Sequence, residues 1–179
     1  MAIQSEYSVK RPIDDELIEK IAQGDMEAFR ELYNSASKSV YSFALSILKN
    51  SQDAEDVMQE TFLKIYQKSP GYISCGKPLA WILRITRNLS LTCLRKKCAE
   101  TDSNQPEKPD FSCVENTEHR LLLEKLFSIL DEEEKQIVVL HIVGGLKHRE
   151  TAEIIGLPLG TVLSKYNRAI KKLKAGTED

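Results

Sequence analysis

Apolar residues recur at three- and four-residue steps over most of the chain, and the alternation typical of strands is nowhere sustained. The longest apolar stripe covers 28–48, and Asn50 is its expected end. Ser51 or Asp53 is the expected cap of a second helix, which should end before Pro70. The pattern predicts an all-α protein.

A turn-rich loop follows at 69–78, where prolines and glycines interrupt the helical pattern. A third helix is predicted from about Leu79 to Lys97, with Trp81 on its apolar side and therefore expected mainly in the core. The segment 99–115 then turns polar, contains two prolines and lacks hydrophobic periodicity, so we expect a flexible linker there.

Helical periodicity returns after the linker. One amphipathic helix is expected around 121–130, and Asp131 with Glu134 three residues later resembles an N-cap pair that opens another helix. That helix should end at the glycine pair 144–145. The sequence therefore predicts two small helical domains, 1–98 and 116–179, joined by the linker.

The segment 147–174 has the spacing of a helix-turn-helix. Ala152 allows two helices to approach closely, Gly156 tolerates a tight turn, and Val162 packs the second helix onto the first. Pro158 suits the first turn of the second helix. The same spacing also fits an ordinary helical hairpin. If the second helix enters a major groove, its outward side is expected to carry Thr161, Lys165, Arg168, Lys171 and Lys172.

Charge is distributed unevenly, although 25 Lys+Arg against 27 Asp+Glu leave a formal net charge of only −2. Residues 14–60 hold 11 acidic and four basic side chains, whereas 61–99 hold eight basic ones and no acid. A second acid-free basic stretch covers 160–174. Two basic faces suggest two binding sites for a polyanion, and solvated helix surfaces are the alternative for either stretch alone.

The sequence contains little evidence for membrane, secreted, metal-binding or common enzyme classes. No apolar run approaches the roughly 20 residues that span a bilayer, and no secretory signal is visible, so we expect a cytoplasmic protein without membrane insertion. Cys75, Cys93, Cys98 and Cys113 are expected to be free thiols, and a metal site formed with His119 is the alternative. Hydrolase and phosphate-loop motifs are missing, so we expect neither an enzyme of those kinds nor a cofactor.

Three motifs occur in order across 14–174: DAEDVMQETF at 53–62, AWILRITRN at 80–88 and GLPLGTV at 156–162. With the polar linker between the second and third, the chain resembles the extracytoplasmic-function (ECF) group of bacterial RNA polymerase sigma factors. The resemblance implies a two-domain, non-enzymatic promoter-specificity subunit that binds core RNA polymerase. It also implies minus-ten recognition with promoter melting by the first domain, and minus-thirty-five recognition as duplex by the second.

The resemblance also assigns residues to these surfaces. It implies a polymerase-docking face formed by Asp53, Asp56, Gln59, Glu60 and Leu63. It implies minus-ten contacts, on single-stranded DNA, from Tyr72, Lys77, Arg84, Arg87, Asn88 and Arg95. It implies minus-thirty-five contacts from Arg149 and from the outward residues of the second helix given above. Alternatives remain open: the acidic helix also suits a surface helix stabilised by its dipole, and Tyr72 also suits a loop aromatic that closes a small core.

The resemblance further implies a cognate anti-sigma protein. Lys147 stands where the family often has a serine or threonine cap, and Leu163 where it often has a basic residue, so the promoter sequence is not transferable. A stand-alone helix-turn-helix regulator that binds duplex operators is the second hypothesis, and it should bind a palindromic site without polymerase. A helical protein-binding adaptor is the third, and it leaves both basic stretches unexplained.

Overall fold

The computed structural model describes residues 13–100 and 128–175, and the regular elements in these two ranges are helical. The first range contains four α-helices, followed in one case by a short 3-10 turn: α1 (Asp15–Ala22), α2 (Met26–Leu48), α3 (Ser51–Lys68) with the turn Ser69–Gly71, and α4 (Pro78–Glu100). The second range contains three α-helices and a π-helical turn: α5 (Glu132–Val138) with the turn Val139–Val143, α6 (His148–Ile155) and α7 (Leu159–Ala175). The prediction of an all-α fold is confirmed.

Side-chain caps define where the first helices begin. The Asp25 carboxylate accepts hydrogen bonds from the backbone N–H groups of Glu27 and Ala28, at 2.9 and 3.1 Å, and so starts α2. At the other end of α2 the expected boundary was wrong. Lys49 has φ of 57°, which ends the helix at Leu48. The expected cap of α3 was wrong as well, because Asn50 caps the helix in place of Ser51 or Asp53 by accepting from the Asp53 N–H at 3.0 Å.

The apolar face of α2 forms the centre of the first four helices. Leu32, Val40 and Phe43 are fully buried there, and α3 and α4 pack against them through Ile65 and Ile82. Burial of each such side chain contributes about 1.5–3 kcal/mol to folding, so this face supplies a large part of the stabilisation that comes from apolar burial. Trp81 packs against the same core from a partly buried position, as predicted.

The C-terminal helices pack onto the same core. Apolar side chains of α5, the π turn and α6 join the buried cluster that includes α2 and α4, with Ile137 and Leu140 fully or almost fully enclosed. The Ser39 hydroxyl donates to the Val143 carbonyl at 3.3 Å, and Lys49 pairs with Glu132 at 2.9 Å. The two predicted domains therefore share an apolar contact surface in this structure.

Several predictions fall partly or wholly outside the described ranges. Most of the expected linker 99–115 and most of the expected helix around 121–130 lie outside these ranges. The domain boundaries therefore stay predictions. Cys75, Cys93 and Cys98 are free thiols, whereas Cys113 and His119 lie outside the described residues. No helix within the described ranges is long and apolar enough to cross a membrane.

Candidate nucleic-acid interface

Helices α6 and α7 form the predicted helix-turn-helix. Gly156 ends α6 with φ of 81°, and its N–H donates to the Ala152 carbonyl at 2.9 Å. The Pro158 carbonyl accepts from the N–H groups of Thr161 and Val162, so Pro158 precedes α7 rather than lying in its first turn. Val162 is fully buried between the two helices, as its spacing predicted.

The first helix of this motif begins without a side-chain cap, as expected from a lysine at 147. The Lys147 backbone N–H instead donates to the Glu150 carboxylate at 2.8 Å, and this bond is one half of a capping box. The other half is missing because a lysine side chain has no acceptor atom. The start of α6 is therefore held by the acidic residue of its first turn.

Two of the expected outward cations of α7 face acidic groups of α5 instead. Lys165 pairs with Glu133 at 3.0 Å and with Asp131 at 3.5 Å, and only 20% of its side chain is exposed. Lys172 pairs at 2.6 Å with Glu134, whose side chain is fully buried. Their expected outward orientation was wrong, because α5 packs against the side of α7 on which both lysines lie.

Glu134 has a second role at the start of α5. One of its carboxylate oxygens accepts both from Lys172 and from the Asp131 backbone N–H, while the Asp131 side chain accepts from the Glu134 N–H at 2.8 Å. This reciprocal pair is the capping box that the sequence predicts. The same carboxylate thus joins the start of α5 to the C-terminal half of α7.

The remaining candidates on this motif stay open to solvent. Arg149, Arg168 and Lys171 are exposed, and Thr161 is half-buried at the N-terminal end of α7. Leu163 is 40% exposed and lies among them in sequence. A basic and partly apolar helix surface of this kind can hold phosphates and contact base edges in a major groove.

A ring cluster that sequence reasoning missed lies behind the motif. His141 and His148 stack with ring centroids 4.1 Å apart, and Tyr166 packs against both at 4.8 and 4.6 Å. The His141 Nδ1–H donates to the Leu146 carbonyl at 2.7 Å. Burial, followed by the neighbouring His141, lowers the pKa of His148 below its ordinary value of 6.5.

Four of the six minus-ten candidates are available on or beside α4. Arg84, Asn88 and Arg95 are exposed, and Lys77 is half-buried immediately before the helix. Arg87 is not free, because its guanidinium donates to the Ile155 carbonyl at 3.1 Å at the end of α6. The helix-turn-helix thus contacts the face of α4 on which this arginine lies.

Tyr72 makes the contacts of a loop aromatic that closes a small core. Its ring packs against Trp81 with centroids 4.8 Å apart, and its hydroxyl donates to the Asp15 carboxylate. Burial, followed by the hydrogen bond to Asp15, raises the pKa of Tyr72 above its ordinary value. No local pattern in the sequence indicated Asp15, because Asp15 and Tyr72 are 57 positions apart.

The acidic face of α3 is largely open. Asp56, Gln59 and Glu60 are exposed, and Leu63 presents 61% of its surface to solvent. Asp53 differs, because its carboxylate accepts from Lys97 of α4 and only 16% of its side chain is exposed. Within the described residues, no group of three or more metal-ligating side chains is close enough to hold a metal ion.

Replacement of Lys172 is expected to destabilise the fold. Lys172→Ala leaves the buried Glu134 carboxylate without its ionic partner and should lower the free energy of unfolding by about 1–3 kcal/mol. Lys171→Ala, one residue earlier and exposed, should change it by less than about 0.5 kcal/mol. Urea denaturation followed by circular dichroism measures both, and equal unfolding free energies would contradict the pairing.

The histidine cluster is expected to make stability depend on pH. Because the pKa of folded His148 lies below 6.5, the unfolded chain binds the proton first as the pH falls. The contribution of neutral His148 to the free energy of unfolding is therefore complete above about pH 6.5 and decreases below it. His148→Phe keeps an aromatic ring beside Tyr166 and removes the titration. Thermal unfolding at pH 7.5 and 5.5 should show a smaller decrease for this variant, and equal decreases would refute the assignment.

Two family models match the chain in the order expected. Sigma-70 region 2 matches residues 32–99, and sigma-70 region 4 matches residues 120–173. The first therefore covers most of α2, all of α3 and nearly all of α4, and the second covers α5, α6 and most of α7. The acidic and basic helix faces described above lie within these two matches.

Curated relatives carry the same family description. The chain is 29% identical over 168 residues to the ECF RNA polymerase sigma factor BldN of Streptomyces coelicolor, which covers 88% of this chain and 63% of BldN. It is 25% identical over 183 residues to the ECF RNA polymerase sigma factor SigW of Bacillus subtilis, over 90% of this chain and 95% of SigW. The chain thus spans slightly less than two thirds of BldN and nearly all of SigW.

Solved structures share the fold. CnrH, in complex with the cytosolic domain of CnrY, superposes with a TM-score of 0.66 at 23% identity over 92% of this chain and 97% of that chain. RpoE of Bartonella quintana, in complex with the anti-sigma factor NepR, gives 0.64 at 21% identity over 83% and 96%. The solved structures show the fold alone, and the two region matches and the curated relatives identify the chain as a member of the ECF group of RNA polymerase sigma factors.

Proposed function

We propose that this chain is a promoter-specificity subunit that binds core RNA polymerase, recognises a minus-thirty-five and a minus-ten element, and promotes melting of the second. The observation that carries the proposal is the presence, in one chain, of the sigma-70 region 2 helices followed by a region 4 helix-turn-helix. Chemistry is left to the polymerase, so the chain needs neither catalytic activity nor a cofactor of its own. It acts in the cytoplasm, where the polymerase is.

Polymerase docking is assigned to the open acidic face of α3. Asp56 and Glu60 are one helical turn apart, and Leu63 follows them with most of its surface exposed. An exposed apolar side chain beside carboxylates suits a partner surface that combines basic and apolar groups. Asp53 contributes to docking only if its bond to Lys97 opens.

DNA contacts are assigned to the two basic faces. Arg168, Lys171 and Arg149 bind duplex at the minus-thirty-five element, with Thr161 at the end of α7 that enters the groove. Lys165 and Lys172 support that helix through α5 and contribute less to binding. At the minus-ten element, Arg84, Asn88, Arg95 and Lys77 hold one strand after opening, because phosphate attraction does not need a paired base.

The two DNA contacts act through one polypeptide. Tethering raises the effective concentration of the second contact once the first has formed, so two weak sites give one strong complex. This agrees with a chain whose net charge is only −2. We also propose an inhibitory protein partner, since CnrH and the Bartonella RpoE are each described in complex with another protein, which in the second case is an anti-sigma factor.

Abortive transcription by purified core polymerase on pooled genomic promoter fragments tests the proposal directly. Start sites that appear only when the protein is added would support it and reveal the two recognised elements. No initiation, with binding of a palindromic duplex by the protein alone, would instead support the stand-alone regulator. Binding of no DNA in either setting, at any salt concentration, would support the helical adaptor.

Substitutions on the two surfaces should have separable effects. Asp56→Arg should weaken binding to core polymerase by about tenfold, because it reverses a charge on the docking face. Arg168→Ala should spare that binding and weaken upstream promoter affinity by about tenfold. Fluorescence anisotropy with labelled protein and labelled promoter measures the two affinities separately.

Glu19→Arg is the matched control for the first substitution, because it makes the same charge change on an exposed residue of α1. It should bind polymerase as the unsubstituted chain does. An equal loss of polymerase and promoter binding in a folded Arg168→Ala protein would contradict the model of two surfaces.

A further inference from the structure

The segment 72–77 connects the 3-10 turn after α3 to the start of α4, directly beside the proposed minus-ten face. Ile73 is 83% exposed on it, and Ser74, Cys75 and Gly76 are exposed as well. Such a segment would be free to adopt many backbone conformations if nothing held it. We call residues 72–77 the minus-ten loop; that name, and the inference below, rest on the proposed function.

One carboxylate holds this loop at three points. Asp15 Oδ1 accepts from the Tyr72 hydroxyl, and Asp15 Oδ2 accepts from the Ser74 hydroxyl and, at 2.6 Å, from the Gly76 N–H. A charged acceptor makes each of these bonds stronger than a neutral one would. The bonds from Ser74 and then Tyr72 lower the pKa of Asp15, so the acceptor stays charged at neutral pH.

The three bonds set the shape of the loop. Gly76 has φ of 70°, a conformation that glycine adopts without strain, and it presents its N–H to the carboxylate. The ring of Tyr72 is simultaneously fixed against Trp81. With residues on both sides bonded to the same side chain, Ile73 is held between them and faces solvent.

We propose that Asp15 is the positioning residue of minus-ten recognition: it fixes the minus-ten loop so that Ile73 is presented to an unpaired base of the melted strand. Asp15 does not touch DNA in this role. An exposed apolar side chain can pack against the face of an unpaired base, and a fixed backbone around it limits which bases fit at that position. Tyr72 acts as a support of the loop rather than as the group that contacts the base.

Asp15→Asn is the direct test, in holoenzyme reconstituted with core polymerase. The Asn amide has no charge and only one acceptor oxygen, so the bonds to the loop lose their charge assistance and the NH2 group cannot accept from the donor that faces it. Asp14→Asn is the matched control. It removes the same charge one residue earlier, where the side chain caps α1 by accepting from the Leu17 N–H, and asparagine caps a helix equally well.

The measurement is abortive initiation on a promoter library randomised across the minus-ten element, using promoters found with the unsubstituted chain. Asp15→Asn should reduce initiation on the preferred sequence by roughly tenfold, as expected from the loss of charge-assisted bonds. It should reduce initiation less on sequences changed at the recognised position, so discrimination there decreases. Asp14→Asn should retain the full preference, and both variants should bind core polymerase normally.

Each outcome has a defined meaning. No initiation by the unsubstituted chain overturns the proposed function and this inference with it. Initiation by that chain, with the same base preference for Asp15→Asn and Asp14→Asn, overturns the inference alone. A uniform decrease across all sequences does so too, because it would indicate a loss of folded protein instead of a change in recognition.

Tyr72→Phe tests the same role of the loop if Asp15→Asn does not fold. Tyr72→Phe keeps the ring on Trp81 and removes one of the three donors. It should weaken discrimination at the same position by a smaller factor. An unchanged base preference in Tyr72→Phe would overturn the inference in that case.

Discussion

Burial of the apolar face of α2 is the constraint on which the rest of the structure depends. The helix presents Leu32, Val40 and Phe43 to α3 and α4, and its other contacts reach the π turn of the C-terminal half. Because one helix supports both halves, the acidic face of α3 and the basic face of α4 are held at fixed positions around it. The proposed docking and minus-ten surfaces are consequences of that packing.

Ion pairs and hydrogen bonds within the molecule then decide which charges remain available to a partner. Lys165, Lys172, Asp53 and Arg87 each bond to a group on another helix, and the sequence alone gave no reason to separate them from their neighbours. A paired group must lose its internal partner before it can bind an external one, and the lost bond reduces the net gain. The exposed charges, such as Arg168, therefore carry more of the proposed binding.

The contact between the two halves has a consequence for function. Arg87 lies under the end of α6 through its bond to the Ile155 carbonyl, so α4 cannot present all of its basic side chains while this contact persists. If the halves move apart during the proposed reading of two promoter elements, Arg87 loses this bond and becomes available on α4. The apolar surface that they share is then either exposed to water, which costs free energy, or covered by another protein surface, which recovers it.

The sequence by itself determined the helical class, most of the helix boundaries, the capping box at Asp131 and the helix-turn-helix at Gly156. These features depend on neighbours within a few residues, where periodicity, caps and glycine conformations act. It did not predict α1 as a separate helix, and it placed the end of α2, the cap of α3 and the end of α4 within about three residues of their positions in the structure, because neighbouring polar residues offer competing caps. Only the tertiary structure decided that Asp15 bonds to the minus-ten loop and that Glu134 bonds to Lys172, because those pairs are 57 to 61 and 38 residues apart. Contacts of that kind arise from helix packing, which local patterns of residues do not specify.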